Sequence, residues 1–235
     1  MSIAQNISIL GNGVNLACAF KSFNFSAESE ALDSTTLCVS SKTYEQGQQM
    51  GTASASGVWK YDQSLSNEIH NILSDAFANS NEVVLTASAR TLTFGEMAVL
   101  INGIVAKYGI EIPNGQLIMA NADFQANGGI QFGKWYIGEE ISTATNTASI
   151  DNATSSTNGG VIHFHGQLLD ATLVNVSFQH STNNSTWVTL SDIEIDMSYQ
   201  GVSATIAAGT TVNRYTRFSL NPNGRATVYG AFARK

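Results

Sequence analysis

The residues with the most chemical potential are His163-Phe164-His165, because on a β-strand both imidazoles point to one side, and His180 could join them from a neighbouring strand. Three imidazoles are a ligand set for zinc. No acidic or cysteine ligand stands at a matching spacing, so partly buried or surface histidines are the preferred reading. Asp192, Glu194 and Asp196 alternate along a strand and share a face that could hold calcium. Their interleaving with Ile193, Ile195 and Met197 favours an ordinary solvated strand face. His70 falls on the polar side of an expected helix and is expected to be solvated. Trp187, at the end of the polar turn Ser181–Thr186, is either a platform for a sugar or a core residue, with the core favoured. Cys18 and Cys38 have no metal-type spacing, and one pair is no disulfide framework, so free thiols are expected. No nucleophile elbow, phosphate loop, zinc-protease helix or dinucleotide fingerprint occurs in the chain. These residues support neither an enzyme nor a cofactor or metal site.

The elements that must position these side chains are mostly strands. Ile7–Leu10, the turn Gly11-Asn12-Gly13, and Val14, Leu16, Cys18 and Phe20 at period two predict a hairpin. From Glu28 to Gly57 periodicity disappears, and a loop of about 30 residues is expected; loops beyond about 12–15 residues are commonly functional. Leu65, Ile69, Ile72, Leu73, Ala76 and Phe77 recur at helical spacing, with Ser64 or Ser66 as N-cap. A strand over 83–87 follows. A second helix is then expected, since Phe94, Met97, Ala98, Ile101, Ile104, Val105 and Tyr108 share one helical face. Residues 116–135 resume as strands.

Residues 139–160, rich in Ser, Thr and Asn, read as a loop or linker. The expected organisation is therefore a first β domain over 1–145, a linker over 146–160, and a C-terminal β-sandwich or jelly roll over 161–235. In that last region short strands recur at 161–167, 173–180, 187–190, 193–197, 202–207, 214–220 and 226–233.

Charged residues are 12% of the 235, against roughly 25% in an average soluble domain, while hydrophobic residues are 43%. Such a profile suits a protein whose surface is covered by copies of itself. The net charge of −7 sits in the first 150 residues, which hold 13 acidic and 6 basic groups, whereas residues 151–235 hold 5 of each. The lack of a basic cluster argues against nucleic-acid binding. A mildly acidic wall would still suit a conduit that passes DNA without holding it. Neither a signal peptide nor a membrane-spanning run is indicated, so a soluble product made in the cytoplasm is expected.

Two groups of segments resemble the tail tube (major tail) proteins of long-tailed bacteriophages. In the first half these are Asp33-Ser34-Thr35-Thr36, Lys42-Thr43-Tyr44-Glu45-Gln46-Gly47, Thr52 to Trp59 with Asp62, Phe94-Gly95-Glu96, and Gly128 to Gly133. In the second half they are Val176 to Ser181 followed by Trp187, Arg214 to Phe218, and Gly230 to Arg234. The resemblance implies a tail-tube-like β-barrel or sandwich with one or two helices, whose sheet edges join those of neighbours into a ring, usually of six. It also implies that the loop over 28–57, with Asp33, Lys42, Tyr44, Gly47, Gly57 and Trp59, reaches the adjacent ring. The implied partners are the chain itself, tape measure and tail terminator or baseplate proteins. DNA would pass without specific binding, no membrane would be involved, and the location would be the virion tail. A capsid decoration or fibre protein, and a carbohydrate-binding module using Trp187, are the alternatives.

Overall fold

The computed structural model describes residues 7–36, 38, 40–59, 69–88, 90, 92–197 and 199–235. The expected positions Asp62, Ser64, Leu65 and Ser66 lie outside the described residues. The first half contains β1 (Ser8–Gly11), β2 (Val14–Asn15), β3 (Phe20–Asp33), β4 (Tyr44–Val58), α1 (Ile69–Asn79), β5 (Glu82–Ser88), β6 (Met97–Glu111), β7 (Met119–Ala126) and β8 (Gln131–Ile141). The second contains β9 (Thr145–Asn146), β10 (Ile150–Asp151), β11 (Gly160–Leu168), β12 (Val174–Ser181), β13 (Val188–Ile195), β14 (Tyr199–Ile206), β15 (Tyr215–Pro222) and β16 (Ala226–Arg234).

One large sheet runs in the order β14-β11-β16-β8-β6-β5-β1-β2, and a branch continues from β6 through β7 and β4 to β3. A second sheet, β10-β15-β12-β13 with β9 beside β15, covers its C-terminal part. Between the two sheets lies a core of Ile162, Phe164, Phe178, Phe218, Val228 and their neighbours. A second core, on the other part of the large sheet, gathers Leu73 and Ala76 of α1 with Leu85, Val99, Ile101, Ala55 and Phe124. A third cluster, including Leu10, Leu100, Trp135 and Val161, occupies the opposite face of the shared strands.

This sharing explains the main departure from expectation. Residues 97–111, expected as a helix, are strand β6. Ala98 and Leu100 face one core while Val99 and Ile101 face another, so the strand is apolar on both sides and its period of two is erased. The structure has one α-helix among the described residues, α1, anchored by buried Leu73 and Ala76. It ends in a Schellman turn: Ser80 has φ +53° and the Asn81 N–H reaches the Ala76 carbonyl at 3.0 Å.

The segment over 28–57, expected as a loop, is also strand. β3 and β4 pair from Phe20↔Gly57 out to Asp33↔Tyr44, leaving only residues 34–43 as the connection. Its lack of periodicity has a physical cause: toward the tip both faces of the ribbon are exposed, so neither needs apolar residues. Across the expected boundary the strands are continuous, since β8 pairs with β6 on one side and with β16 on the other. Within 145–160, β9 and β10 pair with β15, and Ile150 is buried. In the C-terminal region the expected segments 187–190 and 193–197 are a single strand, β13.

At the N-terminus the hairpin is shorter than its pattern implied. Asn12 (φ +46°) and Gly13 (φ +88°) make a two-residue turn between Gly11 and Val14, the backbone that Asn-Gly tolerates best. A Cβ on Gly13 would lie 2.5 Å from the Gly166 carbonyl oxygen, so the turn can press against β11 only as glycine. Asn12 clamps it to β5: its side-chain oxygen accepts the Val84 N–H at 3.0 Å, and its own N–H reaches the Val84 carbonyl at 3.2 Å.

Candidate assembly surface

The residues with apparent catalytic or metal-binding potential are taken up by structure. His163 and His165 are buried, and both meet the Thr86 hydroxyl, at 2.9 Å from His163 Nδ1 and 2.8 Å from His165 Nε2. The Gly13 N–H donates to His165 Nδ1 at 3.2 Å, so Nε2 carries the proton and donates to Thr86. Burial holds both imidazoles neutral, with His163 lowered to about 3 and His165 well below its usual range. His180 does not join them; its Nδ1 accepts the Asn213 N–H at 3.1 Å. Among the described residues no group of three or more His, Cys, Asp or Glu could hold a metal ion.

His70, expected in solvent, instead shares a 2.8 Å hydrogen bond with the Tyr108 hydroxyl, and its ring meets Trp59 edge-on at 5.7 Å. Trp187 is neither free nor core. The Arg217 guanidinium lies 4.1 Å from its ring centre and is held there by Gln179, whose Oε1 accepts Arg217 Nε–H at 2.9 Å. Asp192 and Glu194 are exposed beside buried Ile193 and Ile195, and Asp192 accepts the Ser177 hydroxyl. Cys18 and Cys38 are exposed free thiols. No helix among the described residues is long and apolar enough to cross a membrane.

A different kind of surface is built by β3, β4, β7 and β6. Register places Ser22, Asn24 and Ser26 opposite Ser56, Ser54 and Thr52, and these opposite Asn121, Asp123 and Gln125. One face of the sheet is thus a grid of hydroxyls and amides. Its charges come in near balance along β6: Asp123 pairs in register with Lys107, and Glu111 accepts the Asn121 amide at 2.8 Å. The alternate residues Ala53, Ala55, Ala122 and Phe124 fill the core beneath.

Beyond Thr52, β4 leaves β7 and continues with β3 alone, so residues 27–33 and 44–50 form a two-stranded arm. Seven residues of strand extend about 23 Å. At the tip, Asp33 accepts the Thr35 N–H at 2.9 Å, and Thr35, through its side chain first and this N–H second, holds the carboxyl below the usual range, while Thr35 Oγ1 accepts the Thr43 N–H at 3.0 Å. Leu32 and Tyr44 are 46% and 58% exposed on the arm, and Phe25, Met50 and Phe132 are 42%, 55% and 52% exposed around its base. The rings of Phe25 and Phe132 lie 6.1 Å apart, and Met50 and Phe132 line one cleft.

The six residues singled out in the sequence divide between arm and root. Asp33, Tyr44 and Gly47 lie on the arm, with Gly47 packed across from Glu30, and Lys42 lies in the connection at its tip. Gly57 and Trp59 lie at the root and act inside the fold. A Cβ on Gly57 would overlap the Ala19 carbonyl, and the Trp59 N–H continues the ladder to the Ile118 carbonyl at 2.9 Å. Sequence reading missed the hydroxyl and amide grid, although alternation in Thr52-Ala53-Ser54-Ala55-Ser56 carries its signal. The outer edge of β3 has no strand partner among the described residues.

No protein-family model and no curated protein matches the chain. Among solved structures it is similar to one from the virion of a native gene transfer agent particle, with 14% identity and a TM-score of 0.43 over 56% of this chain and 98% of that one. It is similar to the SPP1 tail tube at 10% identity and a TM-score of 0.43, over 55% of this chain and 78% of that one. A likeness to the SPP1 Dit protein, described as a hub of the adsorption apparatus, spans 98% of this chain and 100% of the other at 10% identity and a TM-score of 0.36.

Proposed function

We propose that this chain is a structural subunit of a phage-type tail that associates with copies of itself, forming stacked rings around a bore through which DNA passes. The observation that carries this reading is the β3-β4-β7-β6 sheet: apolar beneath, hydroxyl and amide above, and, among the described residues, open along β3 and prolonged by an arm paired only with itself. A bare two-stranded ribbon is marginal in water, and an unpaired edge of 14 residues invites another strand. Edge pairing between copies satisfies both and closes a ring, with the polar grid on the inside.

A grid of Ser, Thr, Asn and Gln suits a bore for a polyanion. It offers no Lys or Arg cluster to trap phosphates, since its Lys107 stands beside Asp123 and Glu111. The arm then reaches the next ring, where burial of its half-exposed Leu32 and Tyr44, together with Phe25, Met50 and Phe132, contributes on the order of 5 kcal/mol per contact. Rings of six, and contact with tape measure, terminator or baseplate proteins, belong to this proposal through the resemblance of the arm segments. Electron microscopy and sedimentation of the purified protein test it: rings or hollow tubes are expected, and a protein that stays monomeric at high concentration contradicts it.

A further inference from the structure

A second surface has chemistry that assembly does not use. Between the turn after β5 and the start of β9 lies a cleft of about 410 Å³, lined among others by Thr93, Phe94, Gly138, Glu139, Thr145 and Asn146. That volume is within the roughly 300–1,000 Å³ of small-molecule sites. Phe94 is 44% exposed, and its ring is braced edge-on by buried Tyr136 at 6.4 Å, with an interplanar angle of 86°. Tyr136 is itself fixed through its hydroxyl, 2.6 Å from Thr216 Oγ1. The aromatic face is therefore held in place before any ligand arrives.

Around it stand polar groups that form no side-chain hydrogen bond to other described residues: the hydroxyls of Thr93 and Thr145, the Asn146 amide and the Glu139 carboxylate. They offer donors and acceptors at several points around one ring face. Glu139 is the charged residue of the lining, and no Lys or Arg contributes. A phosphate- or carboxylate-bearing polymer would be repelled, whereas a neutral ring with adjacent hydroxyls is matched. Its C–H face lies against an aromatic ring, and a carboxylate accepts from two neighbouring hydroxyls.

We propose that this cleft binds a neutral sugar ring of a glycan, through Phe94 as the stacking surface with Glu139 and Asn146 as hydrogen-bonding groups. The site is separate from Trp187, whose ring is already occupied by Arg217.

The test is an array of neutral, amino, uronic and phosphorylated oligosaccharides probed with the full chain, followed by titration calorimetry with the best neutral hit. Binding to neutral glycans is expected, weakened at least about tenfold in Phe94→Ala and Asn146→Ala and unchanged in Trp187→Ala. Binding confined to charged glycans, no binding, full binding by Phe94→Ala, or loss in Trp187→Ala alone would overturn the proposal. The melting temperature of each variant, and its rings or tubes in the microscope, are scored on the same samples. A failure of assembly is thereby told apart from a failure of sugar binding.

Discussion

His165 on β11 donates its Nε2 proton to the hydroxyl of Thr86 on β5 across 2.8 Å, although the two residues are 79 positions apart in the chain. With His163 on the same hydroxyl, the contact ties the C-terminal strands to the N-terminal ones inside the shared core.

Both imidazoles are held neutral by burial, so their folded pKa values lie below the unfolded one near 6.5. Above that pH neither state binds a proton and the contact is fully present. As pH falls, the unfolded chain takes up protons that the folded chain refuses, and stability drops by ~1.4 kcal/mol per pH unit for each histidine. The drop continues toward pH 3, where His163 itself protonates. Urea unfolding between pH 8 and 4.5 should show this slope, reduced by about half in His163→Gln. A wild-type profile flat below pH 6.5 would contradict the assignment.

Removing residues 30–48 and joining Ser29 to Gln49 through Asn-Gly shortens the arm while keeping the β4 residues Ala53 and Ala55 in the core. The expected variant melts within about 3 °C of the parent, because the arm buries little of its own chain, and forms rings that no longer stack. Normal tubes from it would remove the arm from the account.

Gly57→Val is expected to act in the opposite way. Its side chain meets the Ala19 carbonyl, so about 2–3 kcal/mol of stability and roughly 5–10 °C of melting temperature should be lost. What remains folded should still assemble. Differential scanning calorimetry reads the first and microscopy the second.

Much of this architecture is legible in the sequence where a strand has one wet and one dry face. β12 and β15 alternate residue by residue, and both were placed nearly to their ends. The signal disappears in two situations. β6 is dry on both sides from Ala98 to Ile101 and the arm is wet on both, and each loses the period of two for opposite reasons. In β6 the β-branched residues Val99, Ile101, Ile104 and Val105 were the better guide than their spacing. The partners of His163 and His165 depend on register between distant strands, which no local pattern encodes. Asp33, Tyr44 and Gly47 lie on the arm and Lys42 in the connection at its tip, while Gly57 and Trp59 belong to the packing of the root.

The polar grid gives a prediction about DNA. Ser54→Lys with Asn121→Lys places two cations on neighbouring strands of that face. Wild-type tubes should not retain linear DNA in low-salt sedimentation, whereas tubes of the double variant should, with retention lost as salt is raised. Equal behaviour of the two would mean that this face does not line the bore.

The most direct measurement is a cryo-electron microscopy reconstruction of the assembly formed by the purified chain. The account predicts a hollow tube of stacked rings whose bore is lined by Ser54, Ser56, Asn121 and Gln125, with each arm seated on the adjacent ring. A bore lined by the β10-β15-β12-β13 sheet, or a particle in which the arm touches no second copy, would contradict it.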